Sequence, residues 1–128
     1  MTRWLSTEWF DQTRALAEGQ PERPGLTARI LYEITGGPDG DATFHRVLED
    51  GRLTAVAGGS IDGPDVTLTM SWDDAAAMQQ GTLDPSVAFM QGRLKVAGSM
   101  AVMLALLPLT TTPEYQDLRG RIAALTEY

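Results

Sequence analysis

The stretch from residue 26 to residue 57 decides the fold: it reads LTARILYEIT (26–35), GGPDGD (36–41), ATFHRVLE (42–49) and DGRLTAVA (50–57). In the first segment, every second side chain from Leu26 to Ile34 is apolar, and most residues between them are polar. This period of two is typical of a strand with one buried face. Asp50-Gly51 is a strong hairpin signal. It predicts that a strand at 43–49 pairs with one at 52–57, whose Leu53, Ala55 and Ala57 share a face.

Working outward toward the C-terminus, a fourth strand is expected at 66–72, where Val66, Leu68, Met70 and Trp72 alternate with hydroxyl residues. Asp73 is predicted to cap a short helix over 74–80 that ends at Gly81. Asp84-Pro85 predicts the start of a second short helix, and 93–97 a fifth strand. Ser99 and the Thr112-Pro113-Glu114 triplet then open two further helices.

On the N-terminal side, Ser6 or Thr7 is expected to cap a first helix that ends near Gly19. The whole order is a helix, four strands joined by short turns, two short helices, a strand and two helices. Short turns imply antiparallel neighbours. Because the apolar face of the sheet must be covered by the helices, the sequence predicts the α+β class.

Composition bounds the function. The chain has 128 residues and a net charge of −7, which argues against binding to nucleic acid or to anionic lipid surfaces. It has no cysteine, so a thiolate nucleophile and a zinc–sulfur site are excluded. No signal pattern and no apolar run long enough to span a bilayer is visible. These features predict one domain over residues 1–128, in the cytoplasm.

The candidate catalytic residues are isolated. His45, the single histidine, lies mid-strand on the polar face. Ser60 follows Gly58 but lacks the second glycine that a nucleophile elbow needs, because Asp62 stands there. Asp73-Asp74 is explained by a helix start, and no dinucleotide or phosphate loop is present. The sequence therefore favours a protein that is not an enzyme and that uses no cofactor and no metal.

The remaining signal is apolar. The five internal methionines all fall between Met70 and Met103, and their flexible side chains suit an irregular cavity or, alternatively, fill gaps in an ordinary core. The expected helix from Ser99 to Leu107 has almost no polar face. It is expected to be buried, to contact another subunit or to line a lipid site. An apolar stripe on the last helix, from Tyr115 to Leu125, could cover it.

The segment from residue 65 to residue 98 resembles the sterol carrier protein type-2 domain. The resemblance rests on VTLTMSWD (66–73), QGTLDP (80–85) and FMQGRLKVAG (89–98), taken in this order and spacing. It implies a five-stranded, mostly antiparallel sheet with helices packed on one face. It also implies a core at about 19–109, to which an N-terminal helix and an added C-terminal helix at 113–127 are attached.

The resemblance further implies a tunnel between sheet and helices that holds a fatty acyl chain, a sterol or another lipid, with no catalytic residue in the domain. Carried over by position, the residues implied to line this tunnel are Met70, Trp72, Met78, Phe89, Met90, Leu94, Val96, Met100, Met103, Leu104 and Leu107. Two departures matter: Ser99 replaces the usual acidic or amide residue after the last glycine, and the C-terminal helix could seal the tunnel.

Two functions therefore compete. The first is a carrier of apolar or amphipathic small molecules, whose partner is a lipid. The second is an interaction module, either a homodimer that uses the apolar helix or the C-terminal stripe, or an accessory domain of an enzyme.

Overall fold

The predicted order of helices and strands is present in the computed structural model, which describes residues 1–128. The strands are β1 (Thr2–Arg3), β2 (Ala28–Gly37), β3 (Gly40–Glu49), β4 (Arg52–Gly58), β5 (Val66–Ser71), β6 (Lys95–Gly98) and β7 (Thr126–Glu127). The α-helices are α1 (Thr7–Ala17), α2 (Trp72–Gln80), α3 (Pro85–Met90), α4 (Met100–Leu106) and α5 (Pro113–Leu125), and a 3₁₀ helix spans Leu107–Thr111. No helix is both long and apolar enough to cross a membrane.

The central sheet has five strands in the order β4-β3-β2-β5-β6. Only the β2–β5 pair is parallel, and the other three pairs are antiparallel. Asp50 and Gly51, with φ values of 50° and 81°, form the tight turn between β3 and β4. Positive φ at both central residues is what a type I′ hairpin turn requires. The mostly antiparallel α+β fold is therefore confirmed.

The inward face of β4 differs from the prediction. Val47 pairs with Ala55, but the next residue, Leu48, pairs with Leu53, so that Thr54 is an extra residue in the ladder. Because of this bulge, the residues of β4 before Thr54 and those after it do not follow one continuous alternation between the two faces of the sheet. Val56 is therefore buried beside Leu53 while Ala57 is exposed. The prediction that Leu53, Ala55 and Ala57 share one face was wrong.

The strand-to-helix junction after β5 also differs. Ser71, and not Asp73, is the N-cap: its hydroxyl accepts a hydrogen bond of 3.1 Å from the backbone N–H of Asp74. Trp72 is consequently the first residue of α2 and not the last residue of a strand. The other predicted caps are confirmed; the residues that accept from backbone N–H groups at the starts of their helices are Ser6, Asp84, Ser99 and Thr112.

The helices cover one face of the sheet, and the opposite face carries exposed charged residues such as Arg29 and Glu33. Helix α5 packs against α1, α2 and the 3₁₀ helix. Its Ile122 is 4% exposed, whereas Leu104 on α4 is 59% exposed. The expectation that the C-terminal stripe covers the apolar helix was therefore wrong. The stripe instead completes the core beside α1 and α2.

The two ends of the chain are joined, which the sequence did not predict. The short strands β1 and β7 pair in parallel, with Thr2 opposite Thr126. The indole N–H of Trp9 donates a hydrogen bond of 2.8 Å to the Thr126 hydroxyl, and both groups are buried. Trp4 packs edge-on against Trp72, with ring centroids 4.6 Å apart. This contact joins the N-terminal segment to Trp72, which directly follows the C-terminal end of β5.

Candidate functional site

A cavity of about 310 Å³ lies between the inner face of the sheet and the helices. Its sheet wall consists of inward side chains on four neighbouring strands: Ile30, Tyr32 and Ile34 on β2, Phe44, Arg46 and Leu48 on β3, Leu53 on β4, and Leu68 and Met70 on β5. Because the side chains of a strand alternate between faces, the residues between them point to the other side of the sheet. The β2 alternation read from the sequence therefore builds one wall.

The helical wall is assembled from segments far apart in the sequence. The members that carry its apolar surface are Met78 on α2, Leu83 and Leu94 in the following connections, Met103 and Leu106 on α4, and Leu118 on α5. Leu107 and Leu109 of the 3₁₀ helix and Tyr115 of α5 add to it. The result is a mostly apolar chamber with a few polar groups, the usual composition of a small-molecule site.

The structure brings together only part of the residue set that the resemblance implied. The members that line the cavity are Met70, Met78, Leu94, Met103 and Leu107. Those outside its wall are Trp72, Phe89, Met90, Val96, Met100 and Leu104. Trp72 is displaced because it begins α2 and packs on Trp4, and Met90 is 83% exposed. Ligand contact by the five lining residues stays a prediction.

Several lining residues were missed by the sequence analysis. Tyr32 and Ile30 had been placed on one strand face, but that face was not assigned to a site. Arg46 had a usable signal, because it stands midway between Phe44 and Leu48 on an alternating strand and must share their side of the sheet. Tyr115 and Leu118 of α5 also line the cavity, but no sequence pattern indicates this. Only the packing of α5 on α2 brings them there.

Arg46 is the unusual member of the wall. Its guanidinium carbon lies 5.4 Å from the centre of the Tyr32 ring and 5.9 Å from that of Phe44. These two rings are stacked on each other, with centroids 4.4 Å apart. None of the four ion pairs of the protein involves Arg46, and its Nε is buried without a hydrogen-bond partner. A cation thus faces a largely apolar chamber.

The surroundings of this cation shift the pKa values of Arg46 and Tyr32. Burial acts to lower the pKa of Arg46, but the Tyr32 and Tyr115 phenols beside it hold that pKa above its ordinary value. Burial raises the pKa of Tyr32, although the charge of Arg46 acts in the opposite direction. At neutral pH Arg46 is therefore a cation beside the neutral phenol of Tyr32.

The residues considered for catalysis lie elsewhere. His45 alternates with Phe44 and Arg46 and so points away from the cavity; its Nδ1 is 2.9 Å from the carbonyl oxygen of Gly59. Asp74 pairs with Arg93 at 2.6 Å on the surface. No group of three or more His, Cys, Asp or Glu side chains is placed to hold a metal ion. What the cavity offers chemically is mostly apolar surface with a smaller number of polar side chains, among them the guanidinium groups of Arg46 and Arg119.

Comparison with known proteins assigns the family. The model of the SCP-2 sterol transfer family matches residues 10–110. The chain belongs to this family. The match includes every strand of the central sheet and stops before α5. The division into a core at 19–109 and an added helix at 113–127 stays a prediction.

The chain is similar to part of two longer relatives. The chain is 33% identical over 102 residues to sterol carrier protein 2 of Rattus norvegicus, covering 79% of this chain and 18% of that protein. It is 37% identical over 79 residues to hydroxysteroid dehydrogenase-like protein 2 of Homo sapiens, covering 62% of this chain and 18% of that protein. The chain thus spans about a fifth of the length of these relatives.

A solved structure supports the fold. The palmitated SCP2L2 protein of Aedes aegypti superposes with a TM-score of 0.65 at 22% identity, covering 84% of this chain and 96% of that protein. At this identity the likeness shows the fold alone. Family membership and the names of these relatives associate the chain with proteins that carry sterols and other lipids.

Proposed function

We propose that the chain is a non-catalytic carrier that binds an apolar or amphipathic small molecule, such as a fatty acyl chain, a sterol or another lipid, in the cavity between sheet and helices. The observation that carries this proposal is the chamber of about 310 Å³ with mostly apolar walls. Membership of the SCP-2 sterol transfer family supports it, as does the palmitated state of the Aedes aegypti relative.

The size of the cavity bounds the ligand. A volume of 310 Å³ is room for about ten groups of the size of a water molecule or a methylene. Ten buried methylenes would contribute about 8 kcal/mol, at about 0.8 kcal/mol each. The loss of freedom on association costs about 4–15 kcal/mol. Apolar contact alone therefore leaves little net free energy of binding, and tight binding requires a polar interaction as well.

The test replaces a residue of the cavity wall by a larger one and measures ligand binding. Met103, which is 2% exposed and lines the chamber, is changed to Trp, and binding of decanol is measured by isothermal titration calorimetry. Met103→Trp is expected to weaken binding about tenfold or more, because the larger side chain occupies ligand volume. Met90→Trp adds the same indole at a side chain that is 83% exposed and should leave binding unchanged.

Thermal unfolding of both variants establishes that they are folded, and native mass spectrometry of the purified wild type detects any ligand retained from the expression host. Wild type that arrives empty and binds no decanol would refute the carrier proposal. So would undiminished binding by a folded Met103→Trp variant, because the chamber would then not be the site.

A second candidate function is self-association through α4. It is favoured by the exposed apolar side chains of Met100 and Leu104, since such surface on a small domain often marks an interface. The α5 stripe no longer supports this candidate, because Ile122 is buried within the chain itself. Light scattering of the same samples across a concentration series separates the two: a dimer that Leu104→Asp breaks, without ligand binding, favours association.

A further inference from the structure

The starting observation is a cation without a counter-charge. Arg46 lies on the inner face of β3, between Phe44 and Leu48, and its side chain lines the cavity. The protein's four ion pairs use Arg3, Arg23, Arg93 and Arg121. No hydrogen bond of Arg46 to an acidic side chain exists, and its Nε is buried without an acceptor. The chain itself supplies no anion for this group.

Such an arrangement is costly unless something compensates for it. A guanidinium presents five N–H donors in a planar fork. The Arg46 residue is partly buried, and its Nε–H is removed from water without an acceptor, which is unfavourable. The Tyr32 and Phe44 rings, at 5.4 Å and 5.9 Å from the guanidinium carbon, offer cation–π attraction. They accept none of the N–H groups in a normal hydrogen bond. The donors remain available to a guest in the chamber.

The remaining surroundings fit one end of a ligand. Tyr115 on α5 lines the same cavity, and its phenol acts to raise the pKa of Arg46. Tyr32, Arg46 and Tyr115 therefore form a polar cluster in the mostly apolar chamber, whose other lining includes Met70, Leu94 and Met103. A molecule that fills the chamber can place a polar end at this cluster and its hydrocarbon against the apolar lining.

We propose that Arg46 anchors the carboxylate of the ligand, so that an unesterified single-chain acid enters the cavity with its charged head inside and its tail against Met70, Leu94 and Met103. This inference rests on the proposed carrier function and narrows its ligand class. The planar fork of arginine matches the two oxygens of a carboxylate.

The test compares an acid with its neutral analogue. Decanoate and decanol have tails of equal length, and calorimetric titration gives their dissociation constants for wild type and for Arg46→Met. Loss of charge-assisted hydrogen bonds at Arg46 should weaken decanoate binding about tenfold or more. Decanol binding should change less than about threefold, because methionine preserves an apolar wall of similar length. Arg46→Lys, which keeps the charge but loses the fork, should fall between the two for decanoate.

Arg29 provides the matched control. It is exposed on the opposite face of the sheet and does not line the cavity. Arg29→Met should leave the ratio of decanoate to decanol affinity within about twofold of wild type.

The outcomes separate the two proposals. Wild type that binds neither compound refutes the carrier function and the anchor with it. Wild type that binds decanol, with decanoate binding unaffected in folded Arg46→Met, leaves the carrier function standing and overturns the anchor. Equal weakening of both compounds also overturns the anchor, because Arg46 would then only shape the chamber. A selective loss of decanoate supports it.

Discussion

Replacing Gly98 by alanine tests how α4 is held over the cavity. Gly98 ends β6, pairs with Val66 of β5, and has a φ of +102°. An added Cβ would lie 2.5 Å from the carbonyl oxygen of Asp65 and 3.2 Å from the Cα of Val66. Both neighbours are backbone atoms. The Asp65 carbonyl is fixed because it accepts a hydrogen bond of 2.8 Å from Ser99, and the Asp65 N–H donates to Arg29 at 2.8 Å. The overlap therefore has no simple relief.

The expected cost has two parts. A side chain at positive φ costs about 1–2 kcal/mol, and forcing an extra group into a filled space costs about 1–3 kcal/mol more. Gly59 separates them, because its φ is +92° and an added Cβ would meet nothing within 4 Å. Gly59→Ala should therefore lower the free energy of unfolding by about 1–2 kcal/mol, and Gly98→Ala by about 2–5 kcal/mol.

Urea unfolding monitored by tryptophan fluorescence measures both values, and equal m-values are the condition for comparing them. Gly98→Ala should be less stable than Gly59→Ala by at least about 1 kcal/mol. It should also weaken decanol binding, since Met103 and Leu106 on the following helix line the cavity. Equal destabilisation by the two variants would refute the argument that the Asp65 backbone fixes this junction.

The remaining predictions concern the start of α2. Ser71→Ala removes the N-cap hydrogen bond from the Asp74 N–H and should destabilise the protein by about 1 kcal/mol. Asp73→Ala should destabilise it clearly less. Thermal unfolding measures both variants, and a larger loss for Asp73→Ala would show that Asp73 is the cap. Hydrogen bonding to Arg93 lowers the pKa of Asp74. The stabilisation by this carboxylate should therefore be fully present above the unfolded-state pKa of about 4 and be lost as the pH falls through the lower folded-state pKa. Asp74→Asn should accordingly be less stable than wild type at pH 6. In urea titrations at successively lower pH below 4, the difference in the free energy of unfolding between the two should shrink. A difference that stays constant with pH would contradict the Asp74–Arg93 pairing.

Much of the fold was accessible from local patterns. The alternation from Ala28 to Ile34 depends only on strand geometry, and the Asp50-Gly51 turn depends only on backbone sterics, so both could be predicted correctly. The predictions failed where two local signals competed. Ser71 and Asp73 were both good caps, and the choice of Ser71 moved Trp72 from a strand to a helix.

The cavity was predicted less completely than the fold. Met70, Met78, Leu94, Met103 and Leu107 line it, but Met90 and Leu104, which are equally apolar in sequence, face outward. Side-chain chemistry does not say which side of a short helix meets the sheet. That depends on how the helices pack against each other.

The sequence by itself determined the five strands of the central sheet, most helix caps and the family, because these follow from periodicity, turn sterics and residue order within short segments. Only the tertiary structure decided which face of α4 is buried, that α5 packs on α1 and α2, and that Arg46 and Tyr115 line the same cavity. The physical reason is distance along the chain. The lining residues on β3 and α5 are far apart in sequence, and their relative position is fixed only when the whole core packs.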